Sequence, residues 1–404
     1  MHIVIATTEF VTEENFGGGL SNYSANLARI LRAHGNKVSV LVVSSLDEEF
    51  VWENDITVYR VRFEDLGMRI KIKGASMLSN LFGPSILINK KVREINRNTP
   101  VDIVHFPSSG ALALFRIKTI PTVVRLSTFQ PAMRYAQKPV FEPERGNYAL
   151  NIQEKLQMIS VKKADSVFAP SKLAAQLTER VIKKRIEVIE SPFTIDFNDI
   201  DESVYKKDLK DKKFFLFYGT LGYLKGIHVI TEILNKLFES YPDCYFVFVG
   251  ASSDMLYQGK MIKAEEYIIK NVLPQYHNHI YYFQAMRNKK QLYSLVKHAQ
   301  ACVLPSRFDN LPNTCIESMA LGQIVVGTRG ASFEQLIVDG TNGFLIENEK
   351  SDQLFKCLVR ILGMTEEERE KMGKRAQERT SLLRPDNIYE QVMDLYKRTI
   401  DEKN

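Results

Sequence analysis

The chain has 404 residues, 45% hydrophobic and 25% charged, ordinary values for a soluble globular protein and, at roughly 150 residues per domain, enough for two or three cores. Lys and Arg total 54 against 48 Asp and Glu, a net charge of +6, too small an excess for a dedicated nucleic-acid binder. The composition also excludes disorder, a collagen-like chain and a disulfide scaffold.

The start, MHIVIATTEF, reads as a short strand, without the basic and long apolar regions of a signal peptide. No apolar run reaches the 18 or so residues that span a bilayer. Cys244, Cys302, Cys315 and Cys357 form no C-x-x-C pair, so they read as reduced structural thiols of a cytoplasmic protein. Strands are expected at His2–Ala6, Lys37–Val43, Ile56–Val61, Asp102–Phe106, Thr122–Arg125, Ser166–Ala169 and Glu187–Ile189. Helical periodicity marks Leu20–Ala33, closed by Gly35, then Asn147–Lys163 and Ser171–Arg180.

The segment from 190 to 212 is polar and charged and reads as a linker or hinge. The alternation then restarts. Strands are expected at Lys213–Tyr218, Cys244–Val249, Ile280–Phe283, Ala301–Leu304, Ile324–Gly327 and Gly343–Leu345. Helices fall between them at Ile227–Ser240, Met261–Val272, Lys289–Lys297, Asn313–Leu321 and Asp352–Leu362, and an amphipathic helix at Asn387–Ile400 ends the pattern. Alternating β and α segments imply parallel sheets covered by helices. The expected fold is therefore α/β, with two Rossmann-like doubly wound domains facing across a cleft. The domains are expected at residues 1–195 and 196–384, with a final helix over 385–404 returning to the first. In such sheets ligands bind beyond the carboxyl ends of the strands.

Three motifs lie at those ends. Gly17-Gly18-Gly19 follows the first strand, where glycines let backbone approach a phosphate; a flexible turn is the plainer reading. Val43-Ser44-Ser45 replaces the acidic residue of a dinucleotide fingerprint, so a nicotinamide cofactor is disfavoured. GTLGYLKG (219–226) opens the second half and places Lys225 just before a helix. A cation there opposes the helix dipole unless an anion is bound, so it is either an exposed lysine or a diphosphate ligand. PSRFDNLPNTCIESMALG (305–322) carries Asp309 ahead of a helix beginning near Pro312, with Glu317 eight residues on. The acids can accept hydrogen bonds from sugar hydroxyls while the helix start holds a diphosphate. Equally, Asp309 can cap the helix and Glu317 can serve as a buried salt-bridge partner.

These segments resemble retaining glycosyltransferases of family 4, which have the glycosyltransferase-B fold. The matching pieces are GGGLSNYSANLARILRAHGNKVSVLV, VDIVHFP, YGTLGYLKGI, PSRFDNLPNTCIESMALGQIVVGTRGASFEQLIVDGTNGFLI and YEQVMDLYKR. The resemblance implies that Asp309 contacts the donor sugar, Glu317 the nucleotide ribose and Lys225 the diphosphate. It places Gly18 and Gly19 in the glycine loop, Glu334 at a further acidic position, and the backbone of Asn310, Leu311, Pro312 and Asn313 around the leaving group. Three positions depart from the family. Asp309 stands for Glu, Thr220 for an arginine of the phosphate clamp, and Ser127 for a histidine. Arg125 or Arg134 can supply positive charge from the first domain; His105, Arg125 and Ser127 are candidate acceptor contacts.

The expected activity is transfer of a sugar from a nucleoside diphosphate sugar to a hydroxyl of a glycan or lipid-linked acceptor, with no metal and no further cofactor. Asp199-Ile200-Asp201 reads as solvated linker rather than a metal pair. A non-catalytic binding subunit and a sugar-nucleotide epimerase are the other readings. Residues 69–97 carry Arg69, Lys71, Lys73, Lys90, Lys91, Arg93 and Arg97 among apolar side chains. They read as a helical hairpin broken at Gly83-Pro84, whose basic edge suits an anionic membrane surface. No nucleic-acid partner is expected.

Overall fold

The apolar runs assemble into two separate parallel sheets, seen in a computed structural model that describes residues 1–14, 18–64, 75–140, 149–195, 200–286 and 288–403. The chain divides into two contact units. The first comprises Met1–Pro131, Asn147–Pro192 and Leu383–Asn404; the second comprises Ala132–Gly146 and Phe193–Leu382.

The first half runs β1 (His2–Thr7), α1 (Gly19–Ala33), β2 (Lys37–Ser44), β3 (Glu48–Trp52), β4 (Ile56–Arg62), α2 (Ala75–Asn98), β5 (Ile103–Pro107), β6 (Thr122–Arg125), α3 (Gln130–Ala136), α4 (Ile152–Lys163), β7 (Ser166–Ala169), α5 (Lys172–Ile182) and β8 (Glu187–Val188). The strands form one sheet in the order β3-β4-β2-β1-β5-β6-β7-β8. β3 alone is antiparallel, on the edge. β1 is buried along its whole length, which is why HIVIAT is a continuous apolar run rather than an alternating one.

The second half runs β9 (Lys213–Tyr218), α6 (Ile227–Ser240), β10 (Cys244–Val249), β11 (Asp254–Tyr257), β12 (Lys260–Lys263), α7 (Ala264–Asn271), β13 (Ile280–Phe283), α8 (Lys289–His298), β14 (Cys302–Leu304), α9 (Asn313–Ala320), β15 (Val325–Thr328), β16 (Phe344–Ile346), α10 (Ser351–Leu362), α11 (Glu366–Ser381) and α12 (Pro385–Asp401). Its main sheet is parallel, ordered β13-β10-β9-β14-β15-β16. α12 belongs to the first unit. Its stripe of Ile388, Val392, Leu395 and Tyr396 joins the core formed by β1, β2 and α1. Burial of each such side chain stabilises by about 1.5–3 kcal/mol.

Several expectations need correction. α2 is one helix through Gly83-Pro84, not a broken hairpin. The proline's missing donor and ring clash are overridden by tertiary anchors, since Ser85 and Asn89 each donate to the Leu112 carbonyl at 2.8 Å. Met261–Lys263 belongs to β12, not to the helix expected over Met261–Val272. It forms a hairpin with β11 around Gln258 and Gly259, both with positive φ. The second part of the expected linker is docked rather than solvated. Tyr205 stacks on His298 with ring centroids 3.7 Å apart, and Leu209 is fully buried. Asp199, Gly17, Arg69, Lys71, Lys73 and the start of the helix expected at Asn147 lie outside the described residues.

Candidate functional site

In the second sheet β9 has β10 on one side and β14 on the other. This is the point where strand order reverses, and ligands bind outside the carboxyl ends there. The loops after β9 and β14 carry the two singled-out motifs. Lys225 ends a 3₁₀ turn over Tyr223–Lys225. Gly226 follows with φ +73°, and a Cβ built on it would lie 1.9 Å from the Pro305 carbonyl oxygen. Only glycine combines that φ with that approach. The Arg307 amide donates to the Leu224 carbonyl at 2.9 Å, tying the same loops together again. Gly226→Ala should therefore destabilise the protein by about 2 kcal/mol or more, measured by urea unfolding; a loss under about 0.5 kcal/mol would show that the loops do not depend on this contact.

The consequence of this stapling is an ion pair between Lys225 and Asp309. Their side chains are 27% and 16% exposed, so the pair is partly screened from solvent yet reachable. Asp309 Oδ1 also accepts from the Asn310 amide at 3.0 Å, and the Ser332 hydroxyl donates to the Asp309 carbonyl at 3.0 Å. Asn310, Leu311 and Pro312 then lead into α9, whose first residue is Asn313. No side chain caps this helix at Pro312, so its amino end presents N–H donors and positive potential beside the ion pair. Tyr218 at the end of β9 pins α9 by donating to the Thr314 carbonyl at 2.6 Å and by contacting Ser318 Oγ at 2.9 Å.

Glu317 sits in α9 and is 6% exposed. It forms an ion pair with Lys289 at the start of α8. The expected salt-bridge partner thus exists, and the carboxylate remains in the same helix as the uncapped end. Glu334 accepts from the Gly330 amide at 2.9 Å. Thr220 is exposed in the loop after β9. Among the described residues no three His, Cys, Asp or Glu side chains converge.

Sequence reasoning passed over Lys289 and a buried group centred on Arg307. Lysine at a helix start usually marks a solvated turn, so Lys289 gave no signal. Arg307 is 2% exposed. Its guanidinium binds both oxygens of Glu349, at 2.7 and 2.9 Å, and approaches His228 Nε2 at 3.0 Å. It also donates to the carbonyls of Ala136, Lys138 and Pro139. Burial raises the Glu349 carboxyl, but hydrogen bonds from His228 and Arg307 outweigh it and hold the group at about 2.

The remaining candidates lie in the first unit, except Arg134, which falls in the second. Gly18 precedes α1 in extended backbone, and Gly19 is its first residue. The Ser127 amide donates to Ser108 Oγ at 2.9 Å. Arg134, on α3, holds its guanidinium 5.0 Å from the Tyr135 ring centroid. Arg125 is buried with its guanidinium 3.6 Å from the Tyr23 ring centroid.

His105 is 2% exposed, and its Nδ1 meets the Tyr396 hydroxyl at 2.6 Å. Burial, then the Arg125 charge, push its pKa down to about 3, so it is neutral in the folded protein. The unfolded chain takes up a proton there near the ordinary 6.5, so stability is lost as pH falls from 6.5 towards 3. Urea unfolding at pH 7.5 and 5.5 should show a smaller acid-induced loss in His105→Gln than in the parent; equal losses would contradict the buried neutral assignment.

Residues 17–197 match the family described as Glycosyltransferase Family 4, and residues 199–379 match Glycosyl transferases group 1. The glycosyltransferase MJ1178 of Methanocaldococcus jannaschii is 22% identical over 81% of this chain and 84% of its own. Sucrose-phosphate synthase from Thermosynechococcus elongatus superposes with a TM-score of 0.76 at 16% identity, over 99% of both chains. A structure described as trehalose-6-phosphate from E. coli bound with UDP-2-fluoro glucose gives 0.72 at 14% identity, over 98% of this chain and 99% of that one. With two Rossmann-like units and consecutive family matches from residue 17 to 379, the chain belongs to the family 4 glycosyltransferases of the glycosyltransferase-B fold.

Proposed function

We propose that the protein is a retaining glycosyltransferase. It moves a sugar from a nucleoside diphosphate sugar to a hydroxyl of a glycan or lipid-linked acceptor, in polysaccharide or glycolipid synthesis, without a metal or other cofactor. The observation that carries this reading is the Lys225–Asp309 ion pair at the uncapped start of α9. A bound diphosphate exchanges one anion for another: Lys225 turns to phosphate, and Asp309 becomes free to accept from a sugar hydroxyl. Backbone N–H groups at Asn310, Leu311 and Asn313 donate to the leaving group; Pro312 has none and only sets the turn. Thr220 lies at the rim of this arrangement. Gly18 and Gly19 are assigned to the donor phosphates at the start of α1, where the Glu9 carboxylate now lies against Gly18, and Ser127 and His105 belong to the acceptor side, His105 by holding that wall in place.

In the reaction the bond from the anomeric carbon to the phosphate oxygen breaks, and its electron pair stays on the diphosphate. The acceptor oxygen bonds to the same face, and its proton passes to the departing diphosphate. The charge that grows on the leaving oxygen is met by donors already in place, which is where such sites gain most of their rate. The neighbour that holds UDP-2-fluoro glucose supports a sugar nucleotide as the donor class.

Glu317 is assigned to the ribose. Hydrogen bonds to charged groups contribute about 1.5–3 kcal/mol, so Glu317→Ala should weaken nucleoside diphosphate binding by about tenfold or more while kcat at saturation falls less. Titration calorimetry with a panel of nucleoside diphosphates measures this and identifies the base. Unaltered affinity would remove Glu317 from the site.

No helix among the described residues is long and apolar enough to cross a membrane. The proposed location is the cytoplasmic membrane face, with peripheral contact through residues 69–97. α2 supports it by exposing Met77, Leu78 and Ile86 together with Lys90 and Arg93.

A further inference from the structure

We propose that the first unit contains a subsite for a compact anion, a carboxylate or phosphate group, formed by Arg125 and the Tyr23 side chain it stacks on. Assigning that anion to the acceptor rests on the transferase reading above; the subsite itself does not.

Arg125 is the last residue of β6, at the carboxyl edge of a parallel sheet. Its side chain is 6% exposed as part of the core. Arginine cannot shed its proton to escape burial, so a buried guanidinium requires a counter-charge or a full set of acceptors. Among the described residues no carboxylate pairs with it. Its contacts are one hydrogen bond, from Nη2 to Ser191 Oγ at 2.8 Å, and the face of Tyr23. Its Nε–H is buried and has no acceptor among the described residues.

Among the described residues the Tyr23 hydroxyl is likewise buried without a partner. Tyr23 is 6% exposed. Buried polar groups in folded proteins are rarely left unmet. Here the unmet set is a guanidinium N–H and the hydroxyl of the tyrosine whose ring it faces. Every one of these groups can donate, and the net charge is positive. That complement fits a single anionic group. It rejects a cation, and a neutral sugar would leave the guanidinium without its counter-charge. His105, 6.0 Å from Tyr23 between ring centroids, is neutral and adds no competing charge.

The test uses the full chain and simple probes. The melting temperature is followed while inorganic phosphate or acetate replaces chloride at constant ionic strength. The proposal expects a saturable rise in the millimolar range with at least one probe, retained in Lys225→Ala and weakened at least tenfold in Arg125→Met. The probe that acts at lower concentration tells phosphate from carboxylate. No rise with either probe overturns the proposal. So does a rise unchanged by Arg125→Met, or one lost in Lys225→Ala alone, which would place the anion at the second unit and leave the transferase reading standing. Should Arg125→Met not fold, wild-type crystals soaked in selenate decide. An anomalous peak within hydrogen-bond distance of Arg125 Nε supports the subsite, and its absence rejects it.

Discussion

Lys225→Ala is expected to lower kcat by about 10²–10³-fold, the usual loss when one preorganised charge-stabilising donor is removed. The reason lies in the pair that Lys225 makes in the free protein. With the ammonium gone, Asp309 remains beside the start of α9 as an unbalanced anion. A diphosphate arriving there loses a cation and gains a repulsive neighbour. Because charge on the leaving oxygen grows towards the transition state, turnover suffers more than donor binding, which should fall by a smaller factor. Lys225→Arg should recover only part of the rate, since a planar fork replaces a point charge. Steady-state transfer with labelled donor, alongside calorimetric donor binding, separates the two effects. A variant within about threefold of wild type in kcat would remove Lys225 from the reaction.

Arg307→Met should destabilise the protein by about 2–3 kcal/mol, as expected for lost hydrogen bonds to charged groups and less than for a fully buried ion pair, because Glu349 is 36% exposed and regains water. The substitution keeps apolar bulk but strands Glu349, His228 and three backbone carbonyls that now share one guanidinium. The damage should reach the site, because Arg307 lies two residues before Asp309 and its amide bonds the Leu224 carbonyl beside Lys225. The pH dependence follows with a definite sign. Glu349 titrates at about 2 instead of its ordinary 4.5, so its stabilisation is present above 4.5 and is lost as pH falls towards 2. Without Arg307 the carboxyl should protonate at higher pH, moving acid unfolding upward. Urea unfolding at neutral pH and an acid titration followed by circular dichroism check both parts. A loss below about 1 kcal/mol would show the network to be dispensable.

Much of the fold was legible because parallel strands buried on both faces leave continuous apolar runs. Thr122–Arg125, Ser166–Ala169, Lys213–Tyr218 and Cys244–Val249 were readable to the residue for this reason. Elements without that signature escaped. β3 is a partly exposed edge strand, EEFVW, and α11 is EEEREKMGKRAQERTS, too polar to show an apolar stripe and held at its start by the Thr365–Glu368 capping box. Pro84 misled because a local rule was overridden by contacts to Leu112, which no local pattern announces.

The site divides along the same line. Asp309 and Lys225 were legible because loops that follow adjacent parallel strands must converge, whatever their distance in sequence. Their partnership, 84 residues apart, follows from topology. Lys289 and Arg307 were not legible, since a basic residue beside a helix start or in a loop reads as solvated until burial is known. The unmet atoms around Arg125 are likewise invisible in sequence, because an absent hydrogen-bond partner leaves no pattern.

The most direct measurement is a crystal structure with an intact nucleoside diphosphate sugar bound. The account predicts the distal phosphate within hydrogen-bond distance of Lys225 Nζ and of backbone N–H groups at the start of α9, with the Lys225–Asp309 ion pair broken and Asp309 turned to a sugar hydroxyl. A diphosphate bound elsewhere, with that ion pair intact, would contradict it.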